Sequence, residues 1–129
     1  VKRPVLDIDY GFAGDITQVN TAVFSSLTTQ DFVPVLCAIT HDKNGQLLNT
    51  NADTIAAQVA VAMSKAYDVT LFYCFEHAGV LTDINKPEDV ISRLTKEETE
   101  NYTKAGIIHQ GMVPKLHNGF DALITALKK

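Results

Sequence analysis

The polar residues that interrupt this chain are spaced in three different rhythms. Val5-Leu6-Asp7-Ile8-Asp9-Tyr10 alternates apolar and polar positions, which predicts a strand with one wet face. Gly11 and Gly14 then break it, and Asp15 or Thr17 can cap a helix with the apolar stripe Ile16, Val19, Val23, Phe24 and Leu27. Phe32 to Ile39 is a continuous apolar run with Pro34 near its start, the pattern of a strand buried on both faces of a parallel sheet. Asp42-Lys43-Asn44-Gly45 is a turn, and its Asn-Gly pair suggests a tight hairpin. A helix rich in alanine, with Ile55, Val59 and Met63, is expected from about Ala52 to Ala66. Val69 to Phe75 reads as another strand, and Glu76 to Asp89 as a polar loop containing Gly79. Thr95-Lys96-Glu97-Glu98 is a capping box opening a polar outer helix that Gly106 ends. A last helix is expected from about Val113 to Leu127, with Leu116, Phe120, Leu123, Ile124 and Leu127 on one face. Strands alternating with helices in this order predict an α/β domain.

Composition narrows this picture. The 129 residues suit one domain with a real core, and 46% apolar content fits a globular protein. No apolar run is long enough for a transmembrane helix, and Val1-Lys2-Arg3-Pro4 leads into Asp7 and Asp9 rather than a signal peptide. The missing initiator Met suggests a processed, excised or truncated product. A net charge of −4 gives no support to nucleic-acid binding. Cys37 and Cys74 lie in strand-like runs and are read as buried reduced thiols, with a disulfide between them as the alternative. No Cys/His pair has metal-ligand spacing, so no protein metal site is expected. His41, His77, His109 and His117 stand singly and are read as surface or loop residues; no nucleophile elbow or Ser-His-Asp order indicates a hydrolase.

Two stretches carry candidate chemistry. Asn49, Asn51 and Asp53 alternate directly before a helix, where amides, backbone N–H groups and a carboxylate can meet an anion. The stretch is no EF-hand loop, since Thr54 and Ala60 hold the places of its Gly and Glu. The simpler reading is an N-cap, with Asn51 capping and Asp53 favouring the first turn. The second stretch is Gly111-Met112-Val113-Pro114-Lys115. Its glycine permits close backbone approach, its proline stiffens the helix start, and a lysine beside free N–H groups makes a phosphate site; a solvated surface lysine is the alternative.

Four stretches in this order resemble the amino acid kinase family, and within it the N-acetylglutamate kinase branch. They are Ile8 to Ile16, Gly45 to Asp53, Gly79-Val80-Leu81, and Gly106 to Leu116. The second and fourth are specific to that branch. The resemblance implies a three-layer α/β/α sandwich with a mainly parallel central sheet. It implies ATP-dependent phosphorylation of the γ-carboxylate of N-acetyl-L-glutamate, or a related N-acyl-glutamate, in arginine biosynthesis. Asn49 and Asn51 would bind the acyl-glutamate. Asp53 would organise catalytic lysines, and Lys115 would bind ATP phosphate and stabilise the transferred group. Glu76, Gly79, Gly111 and Met112 would lie at the nucleotide, with Glu76 standing where the family usually has aspartate. Mg²⁺ would be held mainly by the nucleotide phosphates. The partners implied are small molecules, ATP and the acyl-glutamate, in a cytoplasmic homo-oligomer with neither nucleic acid nor membrane. The family's first strand, its glycine-rich loop with a further lysine and its terminal strands have no match here. The chain therefore reads as the nucleotide-binding, interior and C-terminal portion of a longer kinase, inactive by itself. Two alternatives are a non-catalytic nucleotide-binding or regulatory domain, and a family member acting on carbamate, aspartate or UMP.

Overall fold

Local signals build most of the regular elements. The computed structural model describes residues 1–83, 85–108 and 111–127. It divides into two compact units, Val1–Thr70 and Leu71–Lys129.

In the first unit, helix α1 spans Thr21–Thr28, strands β1 and β2 span Ile39–His41 and Leu47–Asn49, and helix α2 spans Ala52–Met63. The strands pair antiparallel, with Ile39 opposite Asn49 and His41 opposite Leu47. The turn forms because the Asp42 carboxylate accepts the backbone N–H groups of Asn44 and Gln46 at 2.8 and 3.1 Å. Lys43 and Gly45 take the positive φ values of 73° and 93° that close it. The hairpin loop is thus residues 42–46, wider than the two-residue turn that Asn-Gly suggested. Helix α2 starts where its cap predicts: Asn51 Oδ1 accepts Thr54 N–H at 3.0 Å. It ends at Met63 rather than Ala66. Leu48 on β2 is fully buried, Ile55 and Ala57 on α2 are buried, and α1 touches α2.

Three expectations for this unit fail. Residues 5–10 form no strand; the ladder contacts instead join Lys2 to Gly14 and Ala13 to Asn49, so the alternating stretch is looped out. Helix α1 begins after Asn20, not after Asp15 or Thr17. Asp15 is engaged elsewhere, by a two-pronged ion pair with the Arg3 guanidinium at 2.8–3.1 Å. Of the apolar run Phe32 to Ile39, only Ile39 joins a strand, and Val33 and Val35 are 86% and 93% exposed. Burial on both faces needs neighbours on both faces, and the described residues supply none there. Cys37 and Cys74 are accordingly free and exposed rather than buried.

In the second unit, helix α3 spans Lys96–Lys104 and helix α4 spans Val113–Leu127. Thr95 and Glu98 form the expected capping box, and Gly106 at φ 73° ends α3 by turning Ile107 N–H back to the Tyr102 carbonyl. Among the described residues of this unit, Thr99 on α3, Ala122 on α4 and Ile108 between the two helices are buried. Leu123 and Ile124, expected on the packed face of α4, are exposed; Phe120 and Leu116 are half-buried. Residues 69–75 are not a regular strand, although Tyr73 reaches α4, where a Cβ on Gly119 would lie 3.4 Å from its ring. Loop residues Leu81 and Val90 bridge antiparallel, and a Cβ on Gly79 would meet a methyl of the Val90 side chain, which would have to shift. His109 and Gln110, within the fourth matching stretch, and Ile84 lie outside the described residues.

Candidate functional site

The first candidate group is held by backbone on both sides. Asn49 N–H donates to the Phe12 carbonyl at 2.8 Å, and its own carbonyl accepts Gly14 N–H at 2.9 Å. On the other side Asn49 pairs with Ile39, and Thr50 N–H donates to the Ala38 carbonyl at 3.0 Å. Asn49 therefore sits on a short central strand flanked by residues 12–14 and 38–41, its side chain exposed. Asn51 has its side-chain oxygen committed to the cap of α2, as the simpler reading of that residue held. Asp53 follows in the first helical turn, half-buried, where the helix dipole favours a carboxylate.

Thr50, which the sequence did not single out, ties this group together. It is 4% exposed. Its hydroxyl donates to the buried Gly14 carbonyl at 3.1 Å and lies 2.8 Å from the Thr40 hydroxyl. Below it, Gly14 has no room for a side chain, because a Cβ would stand 2.7 Å from Leu48 Cβ. The one available signal was the alternation itself: if Asn49 and Asn51 face outward, Thr50 faces inward. Nearby, the Arg3 guanidinium holds the Asp15 carboxyl below its ordinary range, chiefly by hydrogen bonding. A hollow of about 310 Å³ lies between the start of α1 and the end of α2, with Thr17, Gln58 and Lys65 among its walls. None of the sequence-predicted site residues lines it.

The second group surrounds a cavity of about 550 Å³, a size that suits a small-molecule ligand. Phe75, Val80, Leu81 and Met112 give it apolar walls, and the exposed Glu76 and His77 bring polar groups to it. Gly79 and Gly111 complete the lining. Four predicted nucleotide residues, Glu76, Gly79, Gly111 and Met112, thus come together at one hollow. His77, an exposed loop residue as its sequence reading held, joins them. Lys115 does not line the cavity; it lies half-buried in the first turn of α4, immediately after Gly111 and Met112. Free N–H groups at such a helix start attract anions. Asn49, Asn51 and Asp53 belong to the first unit, and Glu76, Gly79, Gly111, Met112 and Lys115 to the second. Among the described residues no three His, Cys, Asp or Glu side chains gather as metal ligands, and no helix is long and apolar enough to cross a membrane.

Curated relatives named acetylglutamate kinase include one from Phocaeicola vulgatus, 51% identical over 123 residues, or 95% of this chain and 48% of that protein. One from Parabacteroides distasonis is 48% identical over 128 residues, 99% of this chain and 50% of that protein. A more distant one from Methanocella arvoryzae is 36% identical over 116 residues, 90% of this chain and 38% of that protein. The chain spans about half the length of the first two. Residues 2–127 match the profile of the Amino acid kinase family, and the chain belongs to that family.

Proposed function

We propose that this chain is the nucleotide-binding portion of an ATP-dependent kinase acting on N-acetyl-L-glutamate or a related N-acyl-glutamate. The product is the γ-acyl phosphate, an intermediate of arginine biosynthesis in the cytoplasm. The observation that carries the proposal is the cavity that Glu76 to Leu81 share with Gly111 and Met112, directly before the helix bearing Lys115. Its apolar walls suit a nucleobase, and the adjoining helix start suits phosphates. Relatives named acetylglutamate kinase at about half identity supply the acceptor.

The chemistry asks for little acid–base machinery. A γ-carboxylate is already ionised at neutral pH, so the acceptor needs no general base. The difficulty is bringing one anion against another, and cations and helix N-termini overcome it. Lys115 places positive charge at the transferred phosphoryl group. Asn49 and Asn51 orient the acyl-glutamate, Asn49 through its exposed amide and Asn51 through the amide N–H₂ that the cap leaves available. Asp53 holds ammonium groups in position without itself meeting the reacting atoms. Mg²⁺ would be held mainly by the nucleotide phosphates, and when bound it would neutralise phosphate charge. The complete protein would be a homo-oligomer of three-layer α/β/α sandwiches with a mainly parallel central sheet.

Binding of a non-hydrolysable ATP analogue with Mg²⁺, measured by calorimetry, tests the nucleotide site. A Cβ on Gly111 meets no atom within 4 Å, so Gly111→Val leaves the fold intact while crowding the cavity mouth. The variant is expected to weaken binding at least tenfold. Unchanged binding would remove the nucleotide from this cavity.

A further inference from the structure

We infer that Thr50 is a positioning residue for the acceptor: its buried hydroxyl fixes the angle at which Asn49 presents its amide to the acyl-glutamate. The inference rests on the acceptor reading proposed above and adds to it a residue that acts only through Asn49.

Asn49 ends a strand of three residues, so its own element gives it little stiffness. What holds it is lateral. Its N–H donates to the Phe12 carbonyl at 2.8 Å, its carbonyl accepts Gly14 N–H at 2.9 Å, and Ile39 pairs with it on the other side. Residues 12–14 belong to no continuous strand, so that flank depends on few bonds. The Thr50 hydroxyl supplies one of them, donating to the Gly14 carbonyl at 3.1 Å. That donation uses its one proton, so in the 2.8 Å contact with the Thr40 hydroxyl Thr40 is the donor. A single buried oxygen thus joins residue 14 on one flank to residue 40 on the other, across the strand that carries Asn49.

The residue type at this position is informative. Thr50 is 4% exposed. Valine has the same shape and an equal liking for extended backbone, and it brings no polar atom to desolvate. A hydroxyl is tolerated there because both of its bonds are made. Without it the buried Gly14 carbonyl has no partner. Relief comes from tilting residues 12–14 toward water, which strains the Gly14–Asn49 bond and turns Asn49. Binding groups displaced by a fraction of an ångström lose much of their effect.

The test is steady-state kinetics of the complete enzyme containing this chain, with N-acetyl-L-glutamate and Mg²⁺–ATP varied separately. Thr50→Val should raise KM for the acyl-glutamate at least fivefold, with kcat within about threefold and KM for ATP within about twofold. Thr50→Ser keeps the donor and should return the acyl-glutamate KM to within about twofold of the parent's. Thr50→Cys, a weaker donor, should raise it by an intermediate factor, and it decides the matter if Thr50→Val does not fold. In an Asn49→Ala enzyme, Thr50→Val should change that KM by less than about twofold, because the angle of a missing amide is immaterial. An unchanged acyl-glutamate KM in folded Thr50→Val or, failing that, in Thr50→Cys would overturn the inference. So would a serine variant as impaired as the valine one, equal losses with both substrates, or the full effect persisting without the Asn49 amide. A parent enzyme that phosphorylates no N-acyl-glutamate would remove the acceptor reading and this inference with it, whereas the other failures, in an active parent, remove this inference alone.

Discussion

Replacing Thr50 by valine should loosen the frame that holds Asn49, at a cost of about 2–4 kcal/mol. The substitution preserves shape and removes only the hydroxyl. That hydroxyl serves the Gly14 carbonyl at 3.1 Å and the Thr40 hydroxyl at 2.8 Å. Gly14 is buried, so its carbonyl loses its partner without gaining water, which costs about 1–3 kcal/mol. Thr40 is half-buried and can turn to solvent, so its loss is nearer the ordinary net worth of about 0.5–1.5 kcal/mol. Thr40→Val is the control. It removes one bond but leaves Thr50 donating to Gly14, so it should cost about 1 kcal/mol or less. Urea unfolding followed by far-UV circular dichroism reads both values, with a shifted midpoint at unchanged slope as the sign of a pure stability change. Hydrogen exchange at Gly14 and Thr50 should accelerate in Thr50→Val. A cost below about 0.5 kcal/mol, or Thr40→Val as damaging as Thr50→Val, would refute the reasoning.

Gly14→Ala should destabilise the first unit by about 1–3 kcal/mol, because the new Cβ meets Leu48 Cβ, an atom that no rotamer change moves away; a denaturation midpoint equal to the parent's would show that the loop yields. The Glu98 carboxyl is held below its ordinary 4.5 by the Thr95 backbone N–H and then by the Thr95 hydroxyl. A lowered carboxyl stabilises above its unfolded value and ceases to as pH falls through the folded one, so α3 should hold at neutral pH and fray only in acid, below the ordinary range of a glutamate carboxyl. Glu98→Gln should lose that acid dependence, as read by helical amide exchange. In the complete enzyme, Lys115→Ala should lower kcat by roughly two to four orders of magnitude, whereas Asn49→Ala should mainly raise KM for the acyl-glutamate. A change in kcat within about threefold, with ATP still bound, would make Lys115 a surface lysine.

Signals that act within a few residues were legible. The Asn51 cap, the Thr95–Glu98 box, the Asp42 turn and the bounds of α4 each depend on neighbours in sequence. Strands were not, because a run such as Phe32–Ile39 records a demand for burial and says nothing of what is there to meet it. Asp15 misled for the same reason: its capping potential is local, but its partner Arg3 lies in another stretch of chain. In the site, spacing alone pointed to Asn49, Asn51, Asp53 and Lys115. The roles of Glu76, Gly79 and Met112 came from family resemblance, because a cavity wall assembled from residues 75–81 and 111–112 leaves no pattern in either segment. Thr50 escaped notice because its two outward-facing amide neighbours carry the visible chemistry.

The most direct test of the account is acyl phosphate formation by the complete enzyme containing this chain, trapped as the hydroxamate. Mg²⁺ and ATP are supplied with N-acetyl-L-glutamate, carbamate, aspartate or UMP as acceptor, and UMP transfer is read separately as UDP. The account predicts rapid product with N-acetyl-L-glutamate and at least a hundredfold less with the others. Preferred transfer to one of the other acceptors, or bound ATP with no transfer to any, would contradict it.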